Sequence, residues 1–178
     1  MGWETMGQIG KGSRVAAPSS RSTESGAAAV EFALLASLLF MLIFGSISAG
    51  ISFSRSNALQ TAAREGARFA ATLPGEGGGA WFTDVIAATQ GAALGELANG
   101  IPGRTICVAY IVSGGAGETA SLDAAGTTST ATGASCFADG LTDGPRVQVS
   151  VSRDTEIQAV LFSTTIAVGG DAVARYER

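Results

Sequence analysis

A single carboxylate, that of Glu31, stands at the start of a long apolar run. Residues 32–54, which follow it, carry no formal charge. A helix of that length, at about 1.5 Å per residue, spans the roughly 30 Å hydrocarbon core of a bilayer. Glu31 is therefore predicted to lie at a membrane boundary, where an acidic group costs free energy and calls for a partner of opposite charge.

Other kinds of chemistry have little support in the sequence. The chain has no histidine, and the glycine-rich stretch at 75–79 is not followed by the Lys-Ser/Thr pair of a phosphate-binding loop. The carboxylates of Asp139, Asp143, Asp154 and Glu156 do not follow the spacing of a calcium-binding EF-hand loop. The net charge of -4 and the scattered basic residues argue against nucleic-acid binding. We therefore expect no catalytic residues, cofactor, metal or nucleic acid.

The basic residues near the apolar run predict its orientation. Three cations, Lys11, Arg14 and Arg21, precede the run within about 20 residues, which favours a cytoplasmic amino terminus. Arginines also follow the run, but in a stretch that continues as a helix and also holds Glu65. The carboxyl-terminal part is accordingly predicted to lie outside the cytoplasm.

The two cysteines agree with an extracytoplasmic domain. Cys107 lies in a β-like run and Cys136 follows a loop, without the C-x-x-C spacing of redox motifs. An even number of cysteines in an oxidising compartment predicts a disulfide, and the alternative is two buried free thiols. Closing a loop of about 30 residues would stabilise the fold by about 3 to 4 kcal/mol on the chain-entropy model.

The chain divides into four predicted segments. Residues 1–26 form a polar, disordered cytoplasmic leader, and residues 27–54 form the transmembrane helix. Because no proline occurs between residues 27 and 73, residues 55–73 are expected to continue that helix as an amphipathic extension. Residues 74–178 then form the extracytoplasmic domain. The predicted buried stripe of the extension consists of Leu59, Ala62, Ala63, Gly66, Phe69, Ala70 and Leu73.

The domain is predicted to be α+β. A second helix, ending near residues 99–100, is indicated by apolar residues at helical intervals: Trp81, Phe82, Val85, Ile86, Ala92, Ala93 and Leu97. Strands are predicted at residues 105–112, 146–152 and 166–174, the last with a bulge or turn at Gly169 and Gly170. Residues 113–135 are an exposed loop or a weak hairpin, and residues 157–162 a helical turn or crossover. We expect three or four antiparallel strands packed against the long helix.

About a quarter of the chain, between residues 25 and 68, resembles a known family. Residues 25–35, Ser-Gly-Ala-Ala-Ala-Val-Glu-Phe-Ala-Leu-Leu, then the apolar run and residues 57–68 are similar to TadE-like proteins of tight-adherence pilus systems. The resemblance implies a type IV pilin-like fold and a minor pseudopilin or pilus assembly factor with one membrane-spanning helix. The implied partners are other pilin-like subunits, an inner-membrane assembly platform and membrane lipid.

The resemblance also implies processing by a prepilin peptidase. These peptidases cut after a glycine and favour glutamate as the fifth residue of the mature chain, and cleavage between Gly26 and Ala27 puts Glu31 there. The new ammonium group of Ala27 on one subunit would then neutralise Glu31 on a neighbour. The alternative is that the Glu31 side chain extends to the water at the membrane interface and needs no partner.

The apolar run differs from the usual pattern of the family in two ways. It has no early proline, at residues 36–37, and no acid near its far end, at residues 46–54. Ser46, Gly50 and Ser54 recur every four residues there, which would allow a partner helix to approach closely.

Three functions remain open from the sequence. The leading interpretation is a structural pilus subunit in the cell membrane, with incorporation into a surface pilus as its later state. A second is a membrane-anchored extracytoplasmic adhesion or ligand-binding domain that never enters a pilus. A third is an anchored enzyme, although the sequence shows no base for a serine nucleophile.

Overall fold

The computed structural model describes residues 21–74, 77–113, 117–133, 135–137, 144–158 and 163–176. The predicted leader up to residue 20 and the carboxylates Asp139 and Asp143 lie outside the described residues. The chain divides into two compact units, Met1–Leu39 and Phe40–Arg178.

The described residues form two helices, and both differ from the prediction at their ends. Helix α1 covers Arg21–Thr72, so residues 21–25 are helical and the prediction of a disordered leader is wrong there. Extending an established helix needs no new nucleation, so polar residues before the apolar run can join it. Helix α2 covers Gly79–Ala92 and ends well before residue 99. Leu94 and Gly95 take positive φ values of 51° and 90°, which stop the helix.

The sheet has five antiparallel strands, so the α+β prediction is confirmed and the expected number of strands was too small. The strands are β1 (Thr105–Ile111), β2 (Gly117–Leu122), β3 (Thr128–Thr132), β4 (Arg146–Gln158) and β5 (Ser163–Arg175). Their order is β3-β2-β1-β4-β5.

The low-complexity stretch at 113–135 contains a hairpin. Strands β2 and β3 pair from Glu118 with Thr132 to Leu122 with Thr128. Ala120 and Leu122 are buried, so an exposed loop was the wrong alternative for this stretch. Threonine favours strands, and alternate positions of β2 supply enough apolar surface to join the core.

Strands β4 and β5 are also longer than predicted. They pair without interruption from Arg146 with Arg175 to Gln158 with Ser163, so the prediction of a crossover or helical turn is wrong at residues 157 and 158. Residues 159–162 lie outside the described part of the chain. The predicted bulge is also absent from β5, because Gly169 and Gly170 stay in register with β4.

Gly170 allows the helix to approach the sheet closely. A Cβ atom at this position would lie 2.5 Å from the Gln60 Cα of α1. The side-chain amide of Gln60 donates to the Asp171 carbonyl at 2.8 Å, and its oxygen accepts from the Asp171 amide at 3.4 Å. Gly170 is therefore required by the packing of α1 on β5.

The core lies between the second half of α1, helix α2 and one face of the sheet. Five members of the predicted α1 stripe are buried, but Phe69 is 39% exposed and Leu73 only partly buried. The two helices approach at Gly66, where a Cβ would lie 2.1 Å from the Thr89 Oγ1. The fully buried side chains include Leu59, Val85, Leu97, Ile106, Val108, Val147 and Val149.

Arg104 is fully buried and joins two loops. Its Nη1 donates to the Leu97 carbonyl at 3.1 Å and to the Asn99 Oδ1 at 2.8 Å. Its Nη2 donates to the Asp123 carbonyl. The guanidinium thus ties the turns after α2 to the hairpin of β2 and β3.

Cys107 and Cys136 form the predicted disulfide. Their Cα atoms are 5.7 Å apart and their sequence separation is 29. The Gln148 Oε1 accepts from the Ser135 hydroxyl at 2.5 Å and from the Cys136 amide at 3.2 Å. Residues 135–137 are therefore held against β1 and β4 by a covalent bond and by hydrogen bonds.

An aromatic cluster holds the carboxyl end of β5. The rings of Tyr110 and Tyr176 stack with centroids 5.0 Å apart, and Trp81 meets Tyr110 edge-on at 5.4 Å. The Tyr176 hydroxyl donates to the Ile111 carbonyl at 2.8 Å. Burial raises the pKa of Tyr176 above its ordinary value, and a hydrogen bond with Tyr110 adds to this effect.

Candidate functional site

The apolar part of α1 exposes large side chains. In the first unit, Phe32 is 72% exposed, and the other exposed large apolar residues are Val30, Leu34, Leu35, Leu38 and Leu39. In the second unit, α1 exposes Phe40, Leu42, Ile43, Phe44, Ile47, Ile51 and Phe53. Among the described residues, the helix at Gly26–Thr72 is long and apolar enough to cross a membrane, judged by length and composition. Apolar surface of this extent marks contact with lipid or with other helices.

The predicted processing residues lie within the helix. Gly26, Ala27 and Glu31 are all exposed, and the bond between Gly26 and Ala27 is inside α1 and not ahead of it. Ala27 and Glu31 are four residues apart and share one helix face. Within the described part of the chain, no side chain forms an ion pair with the Glu31 carboxylate. An opposite charge would have to come from elsewhere.

Ser46, Gly50 and Ser54 are exposed on α1. A Cβ atom at Gly50 would meet nothing within 4 Å, so the surface over this glycine is open. The Ser46 hydroxyl donates to the Leu42 carbonyl at 2.8 Å, which satisfies this polar group within the helix. The three residues leave room for a partner helix to approach.

Another serine of the predicted transmembrane run contacts the sheet, and a second is buried one turn after it. The Ser48 hydroxyl donates to the Gln158 carbonyl at the end of β4, at 2.8 Å. Ser52 is only 7% exposed, and its hydroxyl donates to the Ser48 carbonyl at 3.1 Å. The sequence alone did not indicate these contacts, because small residues occupy both faces of this part of α1.

Three charged side chains meet beside the start of the amphipathic extension. The Glu96 Oε2 forms ion pairs with Arg153 and, at 3.7 Å, with the Arg55 Nε. An open cavity of about 410 Å³ adjoins them. It is lined by Arg55, Pro102, Arg153, Asp154, Glu156, Gln158 and Thr165. No local pattern in the sequence indicates this cluster, because its members come from α1, the turns after α2, and β4.

Other grooves are shallow and open. One, of about 320 Å³, lies between α1 and β5 with Arg64, Arg68 and Arg175 at its rim, and Arg68 pairs with Glu65 at 3.5 Å. Across the described ranges, no three His, Cys, Asp or Glu side chains are grouped so that they could hold a metal ion. The arrangement suits contacts between surfaces more than the enclosure of a substrate.

A family model matches the amino-terminal part of the chain, where the sequence resembles a known family. Residues 26–68 match the family model described as TadE-like protein. The match begins at the glycine of the predicted processing site and confirms the predicted resemblance. No curated protein and no solved structure matches the chain.

Proposed function

We propose that the chain is a minor pilin-like subunit of a tight-adherence pilus system and that its role in assembly is structural. The observation that carries the proposal is the coincidence of the TadE-like match, at 26–68, with the helix that exposes the apolar run. A helix of this kind is stable in lipid or in a bundle of similar helices, and a pilin-like subunit passes from one to the other. The protein is then membrane-anchored before assembly.

The proposal includes a topology. Residues 1–26 form a cytoplasmic leader, residues 27–54 include the membrane span, and residues 55–73 and 74–178 form the extracytoplasmic part. The cations before the apolar run support this orientation. The disulfide supports it as well, because such bonds persist in oxidising compartments.

In the proposed assembly step, the first contact between subunits is an ion pair. A prepilin peptidase cuts between Gly26 and Ala27, which leaves an ammonium group four residues before Glu31. The exposed Glu31 carboxylate, which pairs with no side chain that the structure describes, then receives the ammonium group of a neighbouring subunit at the membrane edge. The open surface at Ser46, Gly50 and Ser54 accepts the neighbouring helix.

Two substitutions separate processing from assembly. Gly26→Ala should block cleavage, so intact-mass measurement of the membrane fraction should find the leader retained. Glu31→Gln removes only the charge, and it should reduce crosslinking to pilin-like subunits through a photoreactive residue at Ile47, which is exposed on α1 and leaves Ser46, Gly50 and Ser54 unchanged. Glu65→Gln is the matched control, because Glu65 is exposed and its ion pair in the described residues is with the exposed Arg68 at i, i+3. This control should assemble normally.

Two outcomes would contradict the proposal in different ways. Recovery of the wild-type chain with Met1 intact from peptidase-competent cells would refute the processing step. A membrane-bound chain that never crosslinks to pilin-like subunits would instead support an anchored adhesion or ligand-binding domain.

A further inference from the structure

The paired ends of β4 and β5, like the apolar part of α1, contain no charged residues. No Asp, Glu, Lys or Arg occurs from Ile157 to Gly170, just as none occurs from Phe32 to Ser54. The two uncharged stretches touch, because the Ser48 hydroxyl of α1 donates to the Gln158 carbonyl of β4. An uncharged strand end thus lies beside the helix segment that we assign to the membrane.

One charged residue from the end of each stretch lies beside the same cavity. Arg55 is the first charged residue of α1 after its uncharged stretch, and Glu156 is the last charged residue of β4 before its own. Both line the same cavity, together with Gln158 and Thr165. A common boundary between charged and uncharged residues on two adjacent elements is typical of a protein surface at a bilayer interface.

The hydrogen bond from Ser48 also has a role at such a boundary. The Gln158 carbonyl lies beyond the start of β1, since β1 pairs with β4 only as far as Ser152. In water this carbonyl would be hydrated, but near hydrocarbon it needs a donor from the protein. Ser48 provides that donor from within the apolar run.

We propose that the end of the β4–β5 pair, at residues 157–158 and 163–166, lies in the interfacial layer of the bilayer alongside α1. This inference rests on the membrane insertion of α1 proposed above. Ser163, Thr164 and Thr165 are exposed, uncharged and small, so they enter this layer at little cost. Arg55 and Glu156 then lie among the headgroups, where they match the phosphate and the ammonium of a zwitterionic phospholipid.

Depth-dependent fluorescence quenching tests the inference on the full chain. Thr164→Cys places a bimane label at the strand end, and Thr130→Cys places the same label on β3 as the matched control. Both threonines are exposed strand residues. Leu38→Cys labels the apolar helix. The native cysteines remain in their disulfide under non-reducing labelling.

The labelled chains are reconstituted in vesicles of phosphatidylethanolamine and phosphatidylglycerol that contain a lipid with a nitroxide near its headgroup. We expect the label at Thr164 to be quenched several-fold more strongly than the label at Thr130. A second set of vesicles carries the nitroxide deep in the acyl chains and reports on the label at Leu38. Equal, weak quenching at Thr164 and Thr130 by the headgroup nitroxide, with strong quenching at Leu38 by the deep nitroxide, would overturn this inference and leave the proposed function intact. Absence of quenching at Leu38 by the deep nitroxide would overturn both this inference and the proposed membrane insertion of α1.

Discussion

Tyr176 shows how one side chain near the carboxyl end secures the fold. Its ring stacks on Tyr110, which in turn meets Trp81, and its hydroxyl donates to the carbonyl of Ile111. The last strand is therefore held to β1 and α2 by contacts that only a tyrosine can provide together. The neutral hydroxyl is the form that these contacts require, because an ionised oxygen cannot donate.

The raised pKa of Tyr176 predicts a loss of stability in alkali. The folded protein holds the Tyr176 proton more tightly than the unfolded chain, where tyrosine titrates near pH 10. Stability from this group is therefore fully present below about pH 10 and declines as the pH rises further. Urea unfolding of the detergent-solubilised chain at about pH 9 and about pH 11 measures the decline. We expect it to be smaller in Tyr176→Phe, and an identical decline in both proteins would contradict the assignment.

The contacts among α1, α2 and the sheet depend on small residues at two crossings. Gly66 admits Thr89 of α2, and Gly170 admits the backbone of α1 at Gln60. At the second crossing the Gln60 side chain also pairs with the backbone of β5 at Asp171. An outer strand with unpaired backbone groups tends to recruit other strands, so this contact also protects part of the edge of the sheet.

Gly170→Ala should therefore destabilise the protein. The added methyl group would lie 2.5 Å from the Gln60 Cα, a backbone atom that cannot move alone. Overpacking of this kind costs about 1 to 3 kcal/mol of the free energy of unfolding. Urea unfolding followed by tryptophan fluorescence provides the measurement.

Gly91→Ala is the matched control for this substitution. Gly91 lies on α2, and a Cβ there would meet nothing within 4 Å. Its replacement should be neutral or stabilising by up to about 1 kcal/mol, because alanine favours helix more than glycine. Equal stability of Gly170→Ala and the wild type would show that α1 does not press on β5.

For the molecule as a whole, the disulfide restricts the unfolded chain. It closes a loop with a sequence separation of 29 in a protein that contains 25 glycines. The double variant Cys107→Ser and Cys136→Ser should lose about 3 to 4 kcal/mol of stability on the chain-entropy model. Urea unfolding of this variant and of the wild type, with and without reductant, tests the expectation.

The reductant provides the internal control. It should lower the stability of the wild type to that of the double variant and leave the variant unchanged. A wild type that unfolds at the same urea concentration with and without reductant would contradict a stabilising role for the disulfide.

Several features of this molecule were determined by local patterns in its sequence. The apolar run predicts the first helix, the spacing of Leu59, Ala62 and Ala63 predicts its buried face, and alternation at 146–152 predicts a strand. Gly26 and Glu31 stand close together in a recognisable motif, so they could be singled out without coordinates. Each of these signals lies within one segment, because helix and strand periodicities act on neighbouring residues.

The tertiary structure decided the contacts between distant segments. The hairpin at 113–135 has side chains too small to show a buried face until β1 pairs with it. The contact of Ser48 with Gln158 joins residues 110 apart in sequence, and the Arg153 pair with Glu96 joins residues 57 apart. Strand register and the angle at which α1 crosses the sheet determine which of these residues meet. Neither quantity can be read from a local sequence pattern, because each depends on segments that are far apart in the chain.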